Sequence, residues 1–438
     1  MRGALRLTYY PNYRTMDNMT NLLTNCLYKQ KPELKRIFES AFVPRELTSQ
    51  LQRSLDDDAI KVIIGPRRSG KSSLAIQALE GKNFAYFNFE DESLTFDFSS
   101  DQLLESFTQV YPGFEYILFD EIQLFPKWEH LVNRLHRLGH KILITGSNSK
   151  MLSGELASSL TGRYIEYQLL TFSYGEYLRA GSIGQSLDSF MAYLHMGGFP
   201  SVVTKRIHPK DFLPDLWDAI VLKDLVQRFK IRRPAELKNL LYLVLTNISS
   251  KVSARSLSRN INGQLTHSTI NKYLAWAEGA YLCSMVHQYS FKARQRVNSD
   301  KKIYLYDTGF YDAHRHSAAR DLGKILENYV FVELCRQGLV PNLSLFGYQT
   351  KSQYEVDFYI PPITGEAKLV QVCFSTSDIE TRQREIRALI SAAKELNVKK
   401  LYILSCDESE QRFVQDGFEI DVLPAWRIDL CSGLISAS

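Results

Sequence analysis

The chain has 438 residues and a mass of 50.4 kDa, too long for one ordinary domain and enough for roughly two to four. Its composition, 45% hydrophobic, 23% charged and 12% aromatic, is that of a soluble globular protein rather than a fibrous or membrane one. The net charge of +5, from 53 basic against 48 acidic residues, is too mild to imply nucleic acid by itself, so any basic surface is local.

Residues 1–42 read as a weakly organised extension, in which Met16 and Met19 leave the true start open. "MRGALRLTYYPNY" lacks the apolar core of a signal peptide. No apolar run approaches the roughly 18 residues of a membrane span. A cytoplasmic location with no membrane contact is expected. Cys26, Cys283, Cys335, Cys373, Cys406 and Cys431 are scattered with no CxxC pair, as reduced thiols would be. His136 and His140 have metal-ligand spacing but no third ligand nearby, and read as a surface or helix-end pair.

The most specific stretch is "AIKVIIGPRRSGKSSLAIQALEG". Val62, Ile63 and Ile64 are a short apolar run of buried-strand type, and Leu74, Ala75 and Leu79 start a helical pattern. Between them Gly65, Pro66, Arg67, Arg68, Ser69, Gly70, Lys71 and Ser72 fit GxxxxGK[ST], with Ser73 following. The glycines let successive N–H groups point at phosphate oxygens, and the helix N-terminus adds partial positive charge. Lys71 would reach the β- and γ-phosphates of ATP, and Ser72 would offer its hydroxyl to Mg²⁺.

Hydrolysis needs more than a phosphate cradle. In "YILFDEIQLF" an apolar strand ends in Asp120, suited to hold Mg²⁺ through water, and Glu121 follows as the candidate general base. "KILITGSNSK" is a further buried strand with Thr145, Ser147 and Asn148 at its end, where a polar group can hold the attacking water or sense the γ-phosphate. An ordinary Ser/Asn loop is the other reading. "LTGRYIEYQL" sets Arg163 before a fifth strand. It is either a phosphate contact in its own or a neighbouring subunit, or a plain surface arginine. Strands near 60–64, 84–89, 116–120, 141–145 and 164–169, separated by helical patterns, predict a parallel α/β sheet with its ligand at the C-terminal edge.

The stretches "GPRRSGKSS", "FDEIQLFPKWEHL", "ITGSNSKMLSGELASSLTGRY", "LTFSYGEYL" and "GGFP" resemble a family of prokaryotic AAA-type ATP-binding proteins. The likeness covers roughly residues 43–438 and is strongest in the first domain. It implies a P-loop ATPase core over 43–170, a helical lid over 171–234, a winged-helix-like domain over 235–315 and a restriction-endonuclease-like domain over 316–438. It also implies that Lys71 and Ser72 bind nucleotide and Mg²⁺, that Asp120 and Glu121 are the metal and water-activating pair, and that Asn148 is a sensor.

Past a basic exit, "LVQRFKIRRP", two helices are expected, then a third that Thr266 would cap. Ile270, Tyr273, Leu274 and Ala277 form its buried stripe, leaving His267, Asn271 and Lys272 outward. The hairpin after it reads as having a basic tip of Lys292, Arg294, Arg296, Lys301 and Lys302. Lys272, Lys292, Arg294 and Arg296 are candidate nucleic-acid contacts, and a protein-interaction or lid role stands equally open.

"GKILENYVFVELCRQG" reads as an amphipathic helix, with Leu326, Val330 and Leu334 along one stripe. By the resemblance, Glu327, Asp357 and Gln371 form a nuclease-like constellation, with Cys373 where the family has a lysine. Glu355 and Asp357 share a strand face. Lys368 is an odd number of residues from Gln371 and Cys373, so it faces away. Gln371 offers only a neutral carbonyl oxygen, and Cys373 suits softer metals than Mg²⁺. The leading expectation is a Mg²⁺-dependent ATPase coupled to a nucleic-acid or protein partner, with a second copy of the chain also open as a partner. A slow nucleotide-gated switch is the alternative, and an ATP-regulated nuclease is disfavoured.

Overall fold

The computed structural model describes residues 13–40, 42–91, 98–149, 162–261, 265–292, 300–315, 321–362, 365–407 and 409–427. The chain divides into two compact units: one holds residues up to Ile64 together with Lys71–Leu169, the other Gly65–Gly70 together with Leu170 onward.

In the first unit α1 (Tyr13–Glu39) and α2 (Thr48–Ser54) precede β1 (Ile60–Ile64), α3 (Lys71–Ala78), β2 (Phe84–Asn88), α4 (Ser100–Val110), β3 (Tyr116–Asp120), α5 (Trp128–Arg137), β4 (Lys141–Gly146) and β5 (Tyr164–Gln168). The strands make one parallel sheet in the order β2-β3-β4-β1-β5. Every residue of β1 and β3 is buried, as expected for a sheet covered on both faces. Lys61 is among them, and its ammonium is satisfied by the Asp57 carbonyl. A cluster of rings packs over one side: Phe87, Phe89, Phe107 and Phe119 meet at centroid distances of 4.8 to 6.2 Å. α4 starts on a full capping box, Ser99 with Gln102.

From Tyr13 on, the N-terminal segment departs from the reading as a weakly organised extension. α1 is a 27-residue helix. Leu23 and Leu27 are buried, and Ser106 of α4 donates to the Thr20 carbonyl at 3.2 Å. The Gln30 amide mimics a strand partner for the sheet edge, donating to Asn88 O at 3.0 Å and accepting from Asn88 N at 2.9 Å. Tertiary packing on α4 and β2 holds this helix, whose mostly polar sequence has little stability in isolation.

The second unit begins with α6 (Tyr174–Gly181), α7 (Leu187–Met196), α8 (Pro200–Lys205) and α9 (Pro209–Ile220), which runs on as a π-helical stretch, Val221–Gln227. The "GGFP" break has a steric reason. A Cβ on Gly198 would lie 2.2 Å from the Phe172 carbonyl, while Gly198 N donates to buried Asp307 at 2.9 Å. Then come α10 (Pro234–Thr246), β6 (Lys251–Val252), α11 (Ala254–Asn260), α12 (His267–Gly279), β7 (Cys283–His287) and β8 (Lys301–Leu305), the strands pairing antiparallel as β6-β8-β7. Thr266 caps α12 by accepting from Thr269 N at 3.2 Å. Ile270, Tyr273, Leu274 and Ala277 are buried, while His267, Asn271 and Lys272 are exposed.

After α13 (Gly309–Ala313) and α14 (Leu322–Arg336), the last sheet takes β9 (Phe346–Gln349), β10 (Glu355–Ile360), β11 (Lys368–Val372), β12 (Lys400–Ser405), β13 (Gln411–Gln415) and β14 (Phe418–Pro424) in the order β13-β14-β12-β11-β10-β9. α15 (Ile379–Leu396) packs on it. α14 is not the one-striped helix expected: Ile325 through Val332 are all buried, including Glu327 and Asn328. A helix buried on most faces is a core element, and its polar side chains must find internal partners.

Candidate active site

In the first unit the parallel strands end where chemistry gathers. Lys71 opens α3, Asp120 closes β3, and Thr145 lies near the end of β4. The loop between β1 and α3 turns with Gly70 at φ 96° and Arg68 at φ 66°, both left-handed. Ser72 Oγ donates to Asp120 Oδ1 at 2.9 Å, Tyr86 Oη donates to Asp120 Oδ2 at 3.2 Å, and Thr145 Oγ1 also bonds Asp120. Thr145 in turn accepts from Glu121 N at 3.1 Å.

Glu121 itself sits at φ 50°, ψ 42°. A non-glycine residue there is strained, and the strain is held because Thr145 fixes its N–H and Gln123 its carboxylate, at 2.5 Å. Lys71 Nζ lies 3.8 Å from Glu121 Oε1. Burial, with Glu121 next to it, pushes the Asp120 carboxyl above its usual range, against the pull of Thr145, Ser72 and Lys71.

This donor set fits Mg²⁺. A serine hydroxyl and one buried carboxylate are hard oxygen ligands, and Mg²⁺ beside phosphates needs only one or two protein carboxylates. Among the described residues no group of three His, Cys, Asp or Glu is arranged to hold a metal on its own. Lys71, Ser72, Asp120 and Glu121 are therefore brought together as the sequence led one to expect. Asn148 follows β4 by two residues, beyond Gly146. Arg163 is not brought here. It precedes β5 at the opposite end of the sheet, pairing through its carbonyl with Ile60 N at 2.8 Å and through its guanidinium with Asn133 at 3.5 Å. The reading of Arg163 as a phosphate contact within its own chain is thus corrected. β1 separates the two ends, about 13 Å of strand. Tyr86 and Gln123 were missed, because neither belongs to a motif.

Within the second unit Arg67 is paired with Asp224 of the π-helical stretch, Nε to Oδ2 at 3.0 Å and Nη2 to Oδ1 at 3.4 Å. Its guanidinium is therefore engaged by a carboxylate, and Asp224 is a partner that the sequence did not single out.

The C-terminal carboxylates have an unexpected companion. Lys302 is not at a hairpin tip, and neither is Lys301: both start β8. Lys302 is buried, and its Nζ lies 2.8 Å from Glu327 Oε1, 2.7 Å from Asp357 Oδ1 and 2.9 Å from Glu355 Oε1. Burial alone would lower its pKa, but Asp357, Glu327 and Glu355 hold it well above the ordinary lysine value.

Further donors surround the cluster. Val372 N donates to Asp357 Oδ2 at 3.0 Å, Tyr304 Oη to Glu327 Oε1 at 2.5 Å, and Gln371 Nε2 to Glu385 Oε2 at 2.6 Å. Lys251 ties Glu355 Oε2 at 2.8 Å. Cys373 faces the apolar core, where burial pushes its thiol up to about 12. Arg294 and Arg296 lie outside the described residues, and Lys292 is exposed.

Residues 57–178 match the family model described as an AAA domain, and residues 187–321 match a domain of unknown function, DUF8612. An uncharacterized protein of Methanocaldococcus jannaschii is 32% identical over 419 residues, 90% of this chain and 93% of its own. One from Haemophilus influenzae is 30% identical, covering 88% of this chain and 98% of its own. The chain belongs to an AAA-type ATP-binding family. The Walker-type ATPase paby2304 of Pyrococcus abyssi is similar with a TM-score of 0.43 at 16% identity, over 62% of this chain and 95% of that one. In this AAA-type chain the matched AAA segment contains Lys71, Ser72, Asp120 and Glu121. Lys302 falls in the segment of unknown function, and Glu327 and Asp357 beyond it. Among the described residues no helix is long and apolar enough to cross a membrane.

Proposed function

We propose that the protein is a Mg²⁺-dependent ATPase that couples its nucleotide state to a nucleic-acid or protein partner through the second unit. The observation that carries the reading is the arrangement at the strand ends, where Ser72 Oγ is 2.9 Å from Asp120 and Glu121 follows in a strained, fixed conformation. Gly65 through Ser73 would bind the phosphates of ATP, chiefly through backbone N–H groups and Lys71. Ser72 and Asp120 would hold Mg²⁺, which supplies charge neutralisation on the β- and γ-phosphates. Glu121 would take the proton of the attacking water, and Asn148 would orient that water. Arg163 has a role only if a second copy of the chain presents it to this site.

The test is ATP turnover measured beside nucleotide binding. Lys71→Ala should lose both, while Glu121→Gln should keep binding and lose turnover; normal hydrolysis in Lys71→Ala overturns the reading. A slow nucleotide-gated switch is the second reading. It is favoured by the engagement of the Glu121 carboxylate by Lys71 and Gln123. A base that must first leave these partners would turn over slowly, so tight ATP binding with turnover far below one per minute would select the switch.

For the C-terminal carboxylates we read a restriction-endonuclease-like scaffold that does not cut. The Lys302 ammonium takes the place where a divalent cation would need open carboxylate oxygens. Mg²⁺- or Mn²⁺-dependent cleavage of DNA that Asp357→Ala abolishes would overturn this.

A further inference from the structure

The basic exit "RFKIRRP" and the exposed face of α12 form a cleft in the second unit of about 490 Å³. Among the described residues four cationic side chains line it, Lys230, Arg232, Arg233 and Lys272, and no carboxylate does. Three rings line the same cleft, Phe229, Trp276 and the buried Tyr273, whose centroid lies 5.7 Å from that of Trp276. Phe229 and Trp276 are stacked with centroids 4.1 Å apart and planes 5° from parallel. Lys272 Nζ sits 4.8 Å over the Trp276 ring, and Arg228 Cζ 6.0 Å from the Phe229 centroid. The result is a stacked ring pair flanked by Lys272 and Arg228, with Lys230, Arg232 and Lys272 exposed beside it.

A compact fold gains little by gathering like charges around a stacked pair, since the cations repel and the rings stay partly wet. The grouping is complementary to a ligand that carries both anions and flat rings. A single-stranded nucleic acid is such a ligand, with phosphates between successive bases. An acidic peptide would engage the cations and leave the rings unused. A duplex hides its base faces, so it would use the cations alone.

We propose that this cleft binds a single-stranded segment of nucleic acid, with Lys230, Arg232 and Lys272 on phosphates and the Phe229–Trp276 stack against a base. The proposal rests on the reading that the second unit serves a nucleic-acid partner, and it moves the contact from the hairpin tip to this cleft.

The probe is a fluorescent oligo(dT) or oligo(U) of about 20 nucleotides, titrated with the full chain at about 50 and 200 mM salt. Binding should weaken steeply with salt and should quench tryptophan emission, and the quench should vanish in Trp276→Phe. The double variant Lys230→Glu/Arg232→Glu, whose side chains are exposed, should keep the wild-type melting temperature. It should bind at least about 10-fold more weakly, with a salt slope shallower by roughly 1.4, which is about 0.7 for each lost phosphate contact on a single strand. Lys292→Glu should leave affinity unchanged.

Unchanged affinity in the double variant overturns the proposal, as does tighter binding of the matching duplex than of either single strand. No binding to any oligonucleotide also overturns it. If such a chain still hydrolyses ATP, the ATPase reading stands alone. If it binds and does not hydrolyse, the cleft stands and the ATPase reading falls.

Discussion

Lys302→Met tests the C-terminal carboxylate centre most directly. Methionine keeps most of the buried stem and removes the charge. It leaves Glu327, Asp357 and Glu355 together, with side-chain exposures of 11%, 6% and 33%. Exposed ion pairs contribute about 0–1 kcal/mol, but removing one partner from a buried pair costs about 3–5 kcal/mol. Asp357 and Glu327 fall in the second class and Glu355 between the two, so a loss of about 3–5 kcal/mol is expected for the unit. At about 2–3 °C per kcal/mol for a unit of this size, its melting transition should drop by roughly 6–15 °C. The loss should depend on pH. In the wild type Lys302 is held above its unfolded value near 10.5, so its contribution is complete below that value and disappears only as pH rises through the folded one. Burial and Asp357 already raise the Glu327 carboxyl to about 8 against the pull of Lys302, and in the variant that pull is lost, so the penalty is full near neutrality and shrinks as pH falls towards about 5. Calorimetry at both pH values checks this, and adding Asp357→Asn should recover part of the neutral-pH loss. A shift below about 1 °C at neutral pH, or an equal loss at both pH values, would refute the reasoning.

Glu121→Gln should lower ATP turnover by at least about 100-fold with nucleotide affinity retained, read by phosphate release and by equilibrium binding. Lys71→Ala should abolish binding itself. Gly198→Ala should destabilise the second unit by about 3 kcal/mol, because its Cβ would lie 2.2 Å from the Phe172 carbonyl. Urea unfolding reads this, and an unchanged midpoint would mean that the backbone yields there.

The first unit was legible because its chemistry is local. A short run, Gly65 to Ser72, carries its own glycines, lysine and serine, and each strand of a fully covered sheet reads as an unbroken apolar run. Lys302 was illegible for the opposite reason. In sequence it is one more lysine in "NSDKKIYLY", 25 residues from Glu327 and 55 from Asp357, and only the packing of β8 against α14 and β10 gives it three carboxylates. The absence of a lysine at Cys373 was visible, and the presence of a cation elsewhere was not. α14 misled in a related way. Its stripe of Leu326, Val330 and Leu334 is real, but Ile325, Phe331 and Val332 are equally buried, and a stripe cannot be told from one side of a fully enclosed helix. Arg163 shows that the side of a parallel strand matters: a residue before β5 and a residue after β1 lie at opposite edges however near their motifs stand in a family pattern.

The Gln30 amide that completes Asn88 has a consequence during synthesis. β2 is an outer strand of the parallel sheet, and an outer strand with open backbone groups is a template on which another chain can add. Here the cover is made before the strand it covers, since α1 leaves the ribosome ahead of β2. Its own apolar stripe then waits for α4, whose first residue, Ser100, follows Glu39 by 61 positions. At about 5–20 residues per second that delay is several seconds, a window in which Leu23 and Leu27 are the surface for a chaperone to hold.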